Sequence, residues 1–314
     1  MPKEPDLSLI ICTCNRAGNL LQTLEALKSV NVPSALRAEL IIVDNASTDG
    51  TAQIAKNFRS PNLAVRYLHE PSPGQAKARN TGLQEAAGKI VLFTDDDVRP
   101  LPGWIEGMCA PIESGQAEAV AGGVVMAPHL HRPWMEPSHR AALADTSLLS
   151  PEAVPDLVGA NMAFSRAVLS KVPRFDPALG PGALGFWDDT LFGRQLVQAG
   201  FRIAHCPQVQ VEHHFQEFRL KGAAFADRAQ KEGRSAAYVS YHWYHDNQRH
   251  ALARLLKAKL RLHALLRKKP SWEHAEGLSP TEAQARFFVS YFEQACAQKN
   301  QPRHYARQGL VKLS

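Results

Sequence analysis

The sequence predicts an α/β fold in which a mostly parallel sheet is flanked by helices and followed by a helical C-terminal region. Three observations support this prediction. Apolar runs rich in β-branched residues alternate with helix-like segments over roughly the first 100 residues, as βαβ units require. These runs are almost continuously apolar, which is typical of strands buried on both faces. After about residue 215 the pattern is helical.

The N-terminal part of the chain contains four predicted strands. LSLIICTC, residues 7–14, is rich in β-branched and apolar residues and predicts the first strand. The leucines that follow it recur at helical spacing, and the segment STDG, residues 47–50, is typical of a second helix start. Further strands are predicted at ELIIVDN (39–45), LAVRYLHE (63–70) and KIVLFT (89–94).

The middle of the chain is less regular. AEAVAGGVV, residues 117–125, predicts another strand, and GANMAFSRAVL, residues 159–169, predicts a strand and then a helix. Residues 126–156 hold several prolines and histidines without a clear period, so a long loop is predicted there.

Composition and the cysteine pattern indicate where in the cell the protein is expected. The chain of 314 residues is 45% hydrophobic and 21% charged, which is ordinary for a globular protein. Its five widely spread cysteines form no disulfide framework and indicate a reducing compartment. The start MPKEPDLS lacks the apolar core of a signal peptide, and no run approaches the roughly 20 apolar residues of a membrane span. A cytoplasmic location is therefore expected.

Polar side chains follow the predicted strands at the points where the strands end. In a parallel sheet, ligands bind beyond the carboxyl ends of the strands, and the net charge of +6 favours an anionic ligand. The fourth strand ends in three consecutive carboxylates, which repel one another unless a hard cation such as Mg²⁺ or Mn²⁺ binds them. A solvated acidic turn is the plainer alternative. The residues concerned are Thr13, Asn15, Arg16, Asp44, Asp95, Asp96 and Asp97.

Six segments, taken in order, resemble the motifs of family 2 glycosyltransferases with the GT-A fold. The resemblance covers about residues 7–214. It implies a Rossmann-like catalytic domain over residues 1–215, with a nucleotide-binding half of about 1–100 and an acceptor half of about 101–215. Residues 216–314 then form a helical extension. The segments are SLIICTCNR, IIVDNASTDGT, GQAKARNTG, VLFTDDDVRPLPGW, GANMAF and FWDDTLFGRQLVQAGFRI.

The resemblance assigns the donor side of the site. Asp44 holds the position of the aspartate that reads the base, and a carboxylate can accept the uracil N3–H; a helix cap, the alternative role, suits Ser47 or Asp49 better. Arg79 is similar to the family arginine near the nucleotide, and Asp96 is expected to face the ribose or sugar. With Thr13, Asn15 and Arg16, these residues form the expected nucleotide-sugar site.

The expected metal ligands are Asp97 and Asp95 of the family's DxD motif, with His213 as a third. Several family members use a histidine at this point, although His214 competes for the role. Imidazole and carboxylate ligands both suit Mn²⁺, and Mg²⁺ prefers oxygen.

The acceptor side is expected in the segment WDDT. By resemblance, Asp189 is the general base that accepts the proton of the acceptor hydroxyl. Asp188 replaces the usual glutamate and is expected to orient the acceptor, and Trp187 to stack on a sugar face. Acids that offset a helix dipole at its N-terminus are the alternative reading.

The resemblance implies an inverting, metal-dependent transferase that moves a sugar from a nucleotide-sugar, with a UDP-sugar favoured, to a hydroxyl acceptor. The acceptor is expected to be a glycan, a lipid-linked sugar or an envelope component. The chain has no Gln-x-x-Arg-Trp motif, which argues against a processive synthase. A nucleotidyltransferase would need a basic, glycine-rich loop after the first strand, and CTCNRAGNL has one arginine and one glycine.

Residues 251–269 contain seven basic residues and no acid, with leucines on one broad side of a helical wheel. Such a basic amphipathic helix can lie on an anionic membrane, which would place the protein at the inner face of the cytoplasmic membrane. Packing of the leucines onto the catalytic domain is the alternative. Nucleic-acid binding is a weaker alternative, because the segment lacks interleaved aromatic residues, and no nucleic acid is expected.

Overall fold

An eight-stranded mixed sheet forms the centre of the protein in a computed structural model that describes residues 4–148, 156–267 and 275–313. The spatial order of the strands is β3-β2-β1-β4-β7-β6-β8-β5. The strands are β1 (Leu7–Thr13), β2 (Ala38–Asn45), β3 (Ala64–Glu70), β4 (Ile90–Asp95), β5 (Val98–Pro100), β6 (Ala119–Met126), β7 (Asn161–Ser165) and β8 (Ile203–His213).

The first four strands in this order are parallel, as the sequence predicts. Strand β7 runs antiparallel between β4 and β6, while β6 and β8 are parallel and β5 is antiparallel to β8. Thr13 pairs with Asp44, and Cys12 pairs with Asp95. The carboxyl ends of β1, β2 and β4 therefore meet at one edge of the sheet.

Helices cover both faces of the sheet and form the C-terminal region. The short helix α5 lies where the sequence predicted a long loop, so that prediction is wrong in part. The six-residue helix has no period to detect, and its start is fixed by Pro137 and by a capping box between Glu136 and His139. The helices are α1 (Ala17–Leu27), α2 (Thr51–Asn57), α3 (Gln75–Glu85), α4 (Trp104–Glu113), α5 (Pro137–Ala142), α6 (Asp188–Gln198), α7 (Gly222–His242), α8 (Ala251–Leu266) and α9 (Pro280–Gln298).

Two hydrophobic clusters lie on opposite faces of the sheet. Leu9 and Ile11 of β1 belong to the cluster under α1 and α4, whereas Ile10 belongs to the cluster under α3 and α6. Side chains alternate between the two faces of a strand. Strands buried on both faces must be apolar throughout, which explains the continuous runs in the sequence. Burial of each such side chain contributes about 1.5–3 kcal/mol.

The C-terminal helices form a layer of their own. Helix α9 contacts both α7 and α8. No helix in the described ranges combines the length and the apolar character needed to cross a bilayer. The helical region expected after residue 215 is thus present, with α7, α8 and α9 as its main elements.

A buried carboxylate joins the C-terminal residues to the sheet domain. Asp176 accepts hydrogen bonds from the hydroxyls of Tyr238 and Tyr305, both at 2.8 Å, and pairs with Lys312 at 2.6 Å. Its side chain is fully buried. Burial alone would raise the pKa of Asp176, but Lys312 and the hydrogen bonds outweigh it and lower the pKa below its usual range.

We expect Asp176→Asn to lower the free energy of unfolding at pH 7 by about 3 kcal/mol, because it leaves Lys312 without a counter-charge. Since the folded-state pKa is lowered, the stabilisation is present above the unfolded value of about 3.9 and is lost as pH falls through the folded value. Urea denaturation of both proteins at pH 7 and at acidic pH measures this difference.

The control is Asp227→Asn, which removes a carboxylate that is 57% exposed and pairs with Lys231 on α7. An exposed pair of this kind contributes little. Equal stability of Asp176→Asn and the control at pH 7 would contradict the role assigned to Asp176.

Candidate active site

Two loops at the carboxyl edge of the sheet are held together by Asn15. Its backbone lies in the left-handed region, with φ of 52°, which asparagine tolerates better than most residues. The Asn15 N–H donates to Ser47 Oγ at 2.9 Å, and its Oδ1 accepts from Thr48 N at 2.7 Å. The loops after β1 and β2 therefore form one rigid unit next to Thr13, which is buried at the end of β1.

Asp44 lies at the end of β2 and is almost fully buried. It accepts hydrogen bonds from Tyr67 Oη and from Ser47 N, both at 3.0 Å. Burial and the neighbouring Asp44 carboxylate raise the pKa of Tyr67 to about 12, so the phenol stays protonated and remains a donor. The start of α2 is capped instead by Asp49, whose Oδ1 accepts from Thr51 N at 2.9 Å. Asp44 is therefore not the cap of this helix.

The three carboxylates after β4 differ in environment. Asp97 is paired with Arg16 Nη1 at 2.5 Å and lies 3.4 Å from His213 Nε2. Burial raises the pKa of each carboxylate, but in Asp97 the charges of His213 and Arg16 outweigh burial and lower its pKa. In Asp96, burial and the adjacent carboxylates outweigh Arg16 and raise the pKa to about 7. Asp97 is thus the most firmly ionised of the three.

The structure brings His213, not His214, to the carboxylates. His213 Nδ1 contacts the Leu143 carbonyl oxygen at 3.0 Å, leaving Nε2 directed at Asp97. His214 instead contacts Arg99 and lies 3.1 Å from Glu212. Within the described ranges, no three or more His, Cys, Asp and Glu side chains are grouped so as to hold a metal ion. The Asp97–His213 pair suits an ion that takes its other ligands from phosphate and water.

Arg79 connects the two acidic segments. Its Nη1 lies 2.5 Å from Asp188 Oδ2, and its Nη2 lies 3.8 Å from Asp95 Oδ1. The arginine is only 3% exposed. A Cβ at position 159 would lie 1.8 Å from Nη2, so glycine is needed there for the guanidinium to fit. The DDD and WDD segments, which are far apart in sequence, therefore both lie beside the buried guanidinium of Arg79.

Asp188 and Asp189 begin helix α6, as the helix-dipole reading expects, but their environments differ. Burial outweighs the attraction of Arg79 and raises the pKa of Asp188 to about 6. Asp189 is partly exposed, and it accepts hydrogen bonds from Gly159 N at 2.8 Å and Thr190 N at 2.7 Å. Asp189 is thus the oriented and accessible carboxylate, whereas Asp188 is held against Arg79.

Trp187 precedes the two aspartates in a left-handed conformation, with φ of 75°. The guanidinium of Arg194 lies 4.9 Å from the centre of its ring system. The indole also packs beside the cluster that contains Leu179 and Tyr238. One side of the indole is therefore already in contact with the protein, and its stacking on a sugar stays a prediction.

Arg219 is a further residue of this site that the sequence motifs do not predict. Its Nη1 lies 3.4 Å from His213 Nε2, and its guanidinium lies 5.1 Å from the centre of the Phe215 ring. Burial lowers the pKa of Arg219 to about 10, so it stays charged at neutral pH. In the part of the chain that is described, no carboxylate lies within 4 Å of it. It follows the segments that carry the family resemblance, and only its position six residues after His213 could have indicated it.

A family model described as glycosyl transferase family 2 matches residues 8–172, just over half of the chain. The chain belongs to glycosyl transferase family 2. This confirms the enzyme class predicted from the sequence motifs, and it favours neither the nucleotidyltransferase nor the nucleic-acid-binding alternative.

Relatives within family 2 match over part of their length. The glycosyltransferase AglE of Haloferax volcanii is 34% identical over 122 residues, which are 38% of this chain and 40% of AglE. The poly(ribitol-phosphate) β-N-acetylglucosaminyltransferase TarS of Staphylococcus aureus is 37% identical over 91 residues, which are 29% of this chain and 16% of TarS. The matched segments thus cover less than half of these two relatives.

Two solved structures confirm the fold. The mannosyltransferase PcManGT from Pyrobaculum calidifontis, in complex with GDP-Man and Mn²⁺, superimposes with a TM-score of 0.59 at 20% identity, covering 96% of this chain and 88% of that one. Residues 1–349 of S. aureus TarS give a TM-score of 0.52 at 18% identity, covering 96% and 93%. The predicted GT-A architecture with its helical C-terminal region is therefore confirmed.

We expect Arg79→Met to lower the free energy of unfolding by about 3–5 kcal/mol at neutral pH, because Asp188 would stay buried without its partner. The double variant Arg79→Met/Asp188→Leu removes both charges and should recover much of this loss. Denaturant unfolding of both variants and of Asp188→Leu completes the cycle. A destabilisation by Arg79→Met that the second substitution does not relieve would contradict the pairing.

Proposed function

We propose that the chain is an inverting glycosyltransferase that moves a sugar from a nucleotide-sugar to a hydroxyl group of an acceptor. The observation that carries this proposal is the contact of Arg79 with both Asp95 and Asp188. It brings the DxD segment, which suits a divalent ion bound to a diphosphate, next to the WDD segment, which suits a general base. Donor and acceptor chemistry then belong to one site.

The nucleotide belongs, in this proposal, beside the rigid loops after β1 and β2. Asp44 can accept an N–H of the base, while Thr13 and Asn15 border the same edge. A UDP-sugar is the first choice, because a single carboxylate acceptor suits the uracil N3–H. Guanine also offers N–H donors, and PcManGT was solved with GDP-Man, so GDP-sugars are the principal competitors.

The diphosphate belongs near Asp97, His213 and Arg219. Asp97 and His213 would hold Mn²⁺ or Mg²⁺, with Asp95 close to them and Asp96 toward the ribose or sugar. When bound, such an ion supplies positive charge to the diphosphate leaving group. Arg219 provides a permanent positive charge at the same place, since its guanidinium lies 3.4 Å from His213. Arg16, which pairs with Asp97, would supply a further positive charge for the phosphates.

The reaction is a single displacement at the anomeric carbon. The acceptor oxygen attacks this carbon, the bond to the diphosphate oxygen breaks, and the electron pair leaves with the diphosphate. Asp189 accepts the hydroxyl proton, with its carboxylate oriented by Gly159 N–H and Thr190 N–H. Attack from the face opposite the leaving group inverts the configuration, and no covalent intermediate forms.

The acceptor needs a free hydroxyl group that can reach Asp189. A glycan, a lipid-linked sugar or an envelope component with a free hydroxyl would suit the partly exposed Asp189 beside Trp187. Transfer of one sugar per encounter and a cytoplasmic setting complete the proposal.

Donor binding is the direct test. Thermal-shift measurements with UDP, GDP, dTDP and their sugars in the presence of Mn²⁺ identify the nucleotide, and donor hydrolysis then confirms turnover. We expect a UDP-sugar to raise the melting temperature most. No stabilisation by any nucleotide-sugar would contradict the proposed function.

Asp97→Ala is expected to lower kcat by about 100-fold or more, because it removes a ligand of the ion that would stabilise the diphosphate leaving group. The variant should unfold as cooperatively as the wild type. Asp227→Ala, an exposed carboxylate on α7, is the control and should retain full activity. Unchanged turnover of Asp97→Ala, or of the wild type in EDTA, would contradict the metal assignment.

Asp189→Asn is expected to lower kcat by about 10²–10⁴-fold, because the amide keeps the shape but cannot accept the proton. Calorimetry should show donor affinity close to that of the wild type. Asp156→Asn, which removes an exposed carboxylate beside Arg194, is the matched control. A comparable loss of donor affinity in Asp189→Asn would place this residue in the donor site instead.

A further inference from the structure

Helix α8 is the outermost of the C-terminal helices. It contacts α9, which in turn contacts α7. The side chains of Ala251, Leu255 and Ala258 are buried. They recur every three to four residues and form one face of the helix. Of the leucines of α8, only Leu255 on this face is buried. Other leucines of α8 lie on a different side of the helix.

Leu252, Leu256 and Leu260 form a second, solvent-exposed face, called here the leucine stripe. They are spaced four residues apart and therefore lie on one side of the helix. Their exposed fractions are 60%, 59% and 71%. Leu260 is the most exposed large apolar residue in the described ranges. Packing against the rest of the protein thus accounts for Leu255 but not for the stripe.

The charged side chains that α8 itself contributes beside the leucine stripe are all basic. Helix α8 contains no aspartate or glutamate. Lys257 and Arg261 are exposed and flank the stripe on one side, one helical turn apart. Within the described residues, no carboxylate lies within 4 Å of either. On the other flank, Lys259 pairs with Glu293 of α9 at 2.8 Å.

We propose that the leucine stripe, together with Lys257 and Arg261, binds the surface of an anionic membrane. The leucines would enter the boundary between headgroups and acyl chains, while the basic side chains meet lipid phosphates. The helix is about 24 Å long, at 1.5 Å per residue, and would lie parallel to the membrane plane. This proposal concerns location and does not depend on the proposed reaction.

Charge complementarity decides between a membrane and a second copy of the chain. Two copies packed stripe to stripe with antiparallel helices would bring Lys257 and Arg261 of each helix close to the same cations of the other. Like charges at an interface oppose association, and α8 offers no acid to offset them. An anionic lipid surface supplies the opposite charge and an apolar layer together.

Flotation of the full chain with vesicles tests the proposal. Wild-type protein should float with vesicles of equal parts phosphatidylglycerol and phosphatidylcholine and remain unbound with phosphatidylcholine alone. Binding should weaken as salt rises. Replacement of all three stripe leucines by glutamine, which preserves helix propensity, should lower the partition coefficient at least about tenfold.

The charge variant Lys257→Gln/Arg261→Gln should lower binding at low salt by about twenty-fivefold, since each basic residue near the surface contributes about fivefold. Matched controls make the same kinds of change outside α8. Leu21→Gln/Leu148→Gln/Leu313→Gln replaces three exposed leucines, and Lys28→Gln/Arg37→Gln makes the same change in net charge. These controls should bind as the wild type does, and unfolding curves should show that every variant is folded.

Three results would overturn the proposal. The wild type could fail to float with phosphatidylglycerol vesicles at low salt, or the leucine variant could float as well as the wild type. A wild-type dimer that becomes monomeric in the leucine variant, without vesicle binding, would show that a second copy covers the stripe. Because none of these measurements uses donor or acceptor, their outcome is independent of the test of the proposed reaction.

Discussion

The arrangement of the site depends on the burial of one charged side chain, the guanidinium of Arg79. Arg79 is almost completely buried, and such burial is tolerated only when carboxylates offset its charge. Asp188 provides the close contact, and Asp95 lies farther away. Since these carboxylates come from different elements, the pairing fixes the end of β4 against the start of α6. The geometry of the whole site follows from this contact.

The same balance of charge explains why three adjacent aspartates are compatible with a stable fold. Arg16 and Arg79 lie within 4 Å of the carboxylate cluster, and Arg219 contacts His213 beside it. The positive charges of His213 and Arg16 lower the pKa of Asp97, so its carboxylate stays ionised. Burial raises the pKa of Asp96 to about 7, which is close to neutral pH. The site thus carries its own counter-charges.

Local patterns in the sequence predict much of the fold and of the site. Continuous apolar runs identify β1, β2, β3 and β4, since strands buried on both faces must be apolar. Position at a strand end identifies Asp44 and the carboxylates after β4. Long-range pairing is not visible in this way, because nothing around Arg79 specifies Asp188 as its partner. Short elements such as β5 and α5 contain too few residues for a period, and Arg219 lies outside the recognisable motifs.

The network around Asp176 has a consequence for the biogenesis of the protein. Tyr238, Tyr305 and Lys312 all follow Asp176 by at least 60 positions in the sequence. During synthesis, this aspartate leaves the ribosome long before its partners do. Until these residues have been synthesised, the carboxyl group of Asp176 lacks the two tyrosine hydroxyls and the lysine that later contact it. Burial of the Asp176 charge is therefore completed only after Tyr305 and Lys312 have been synthesised.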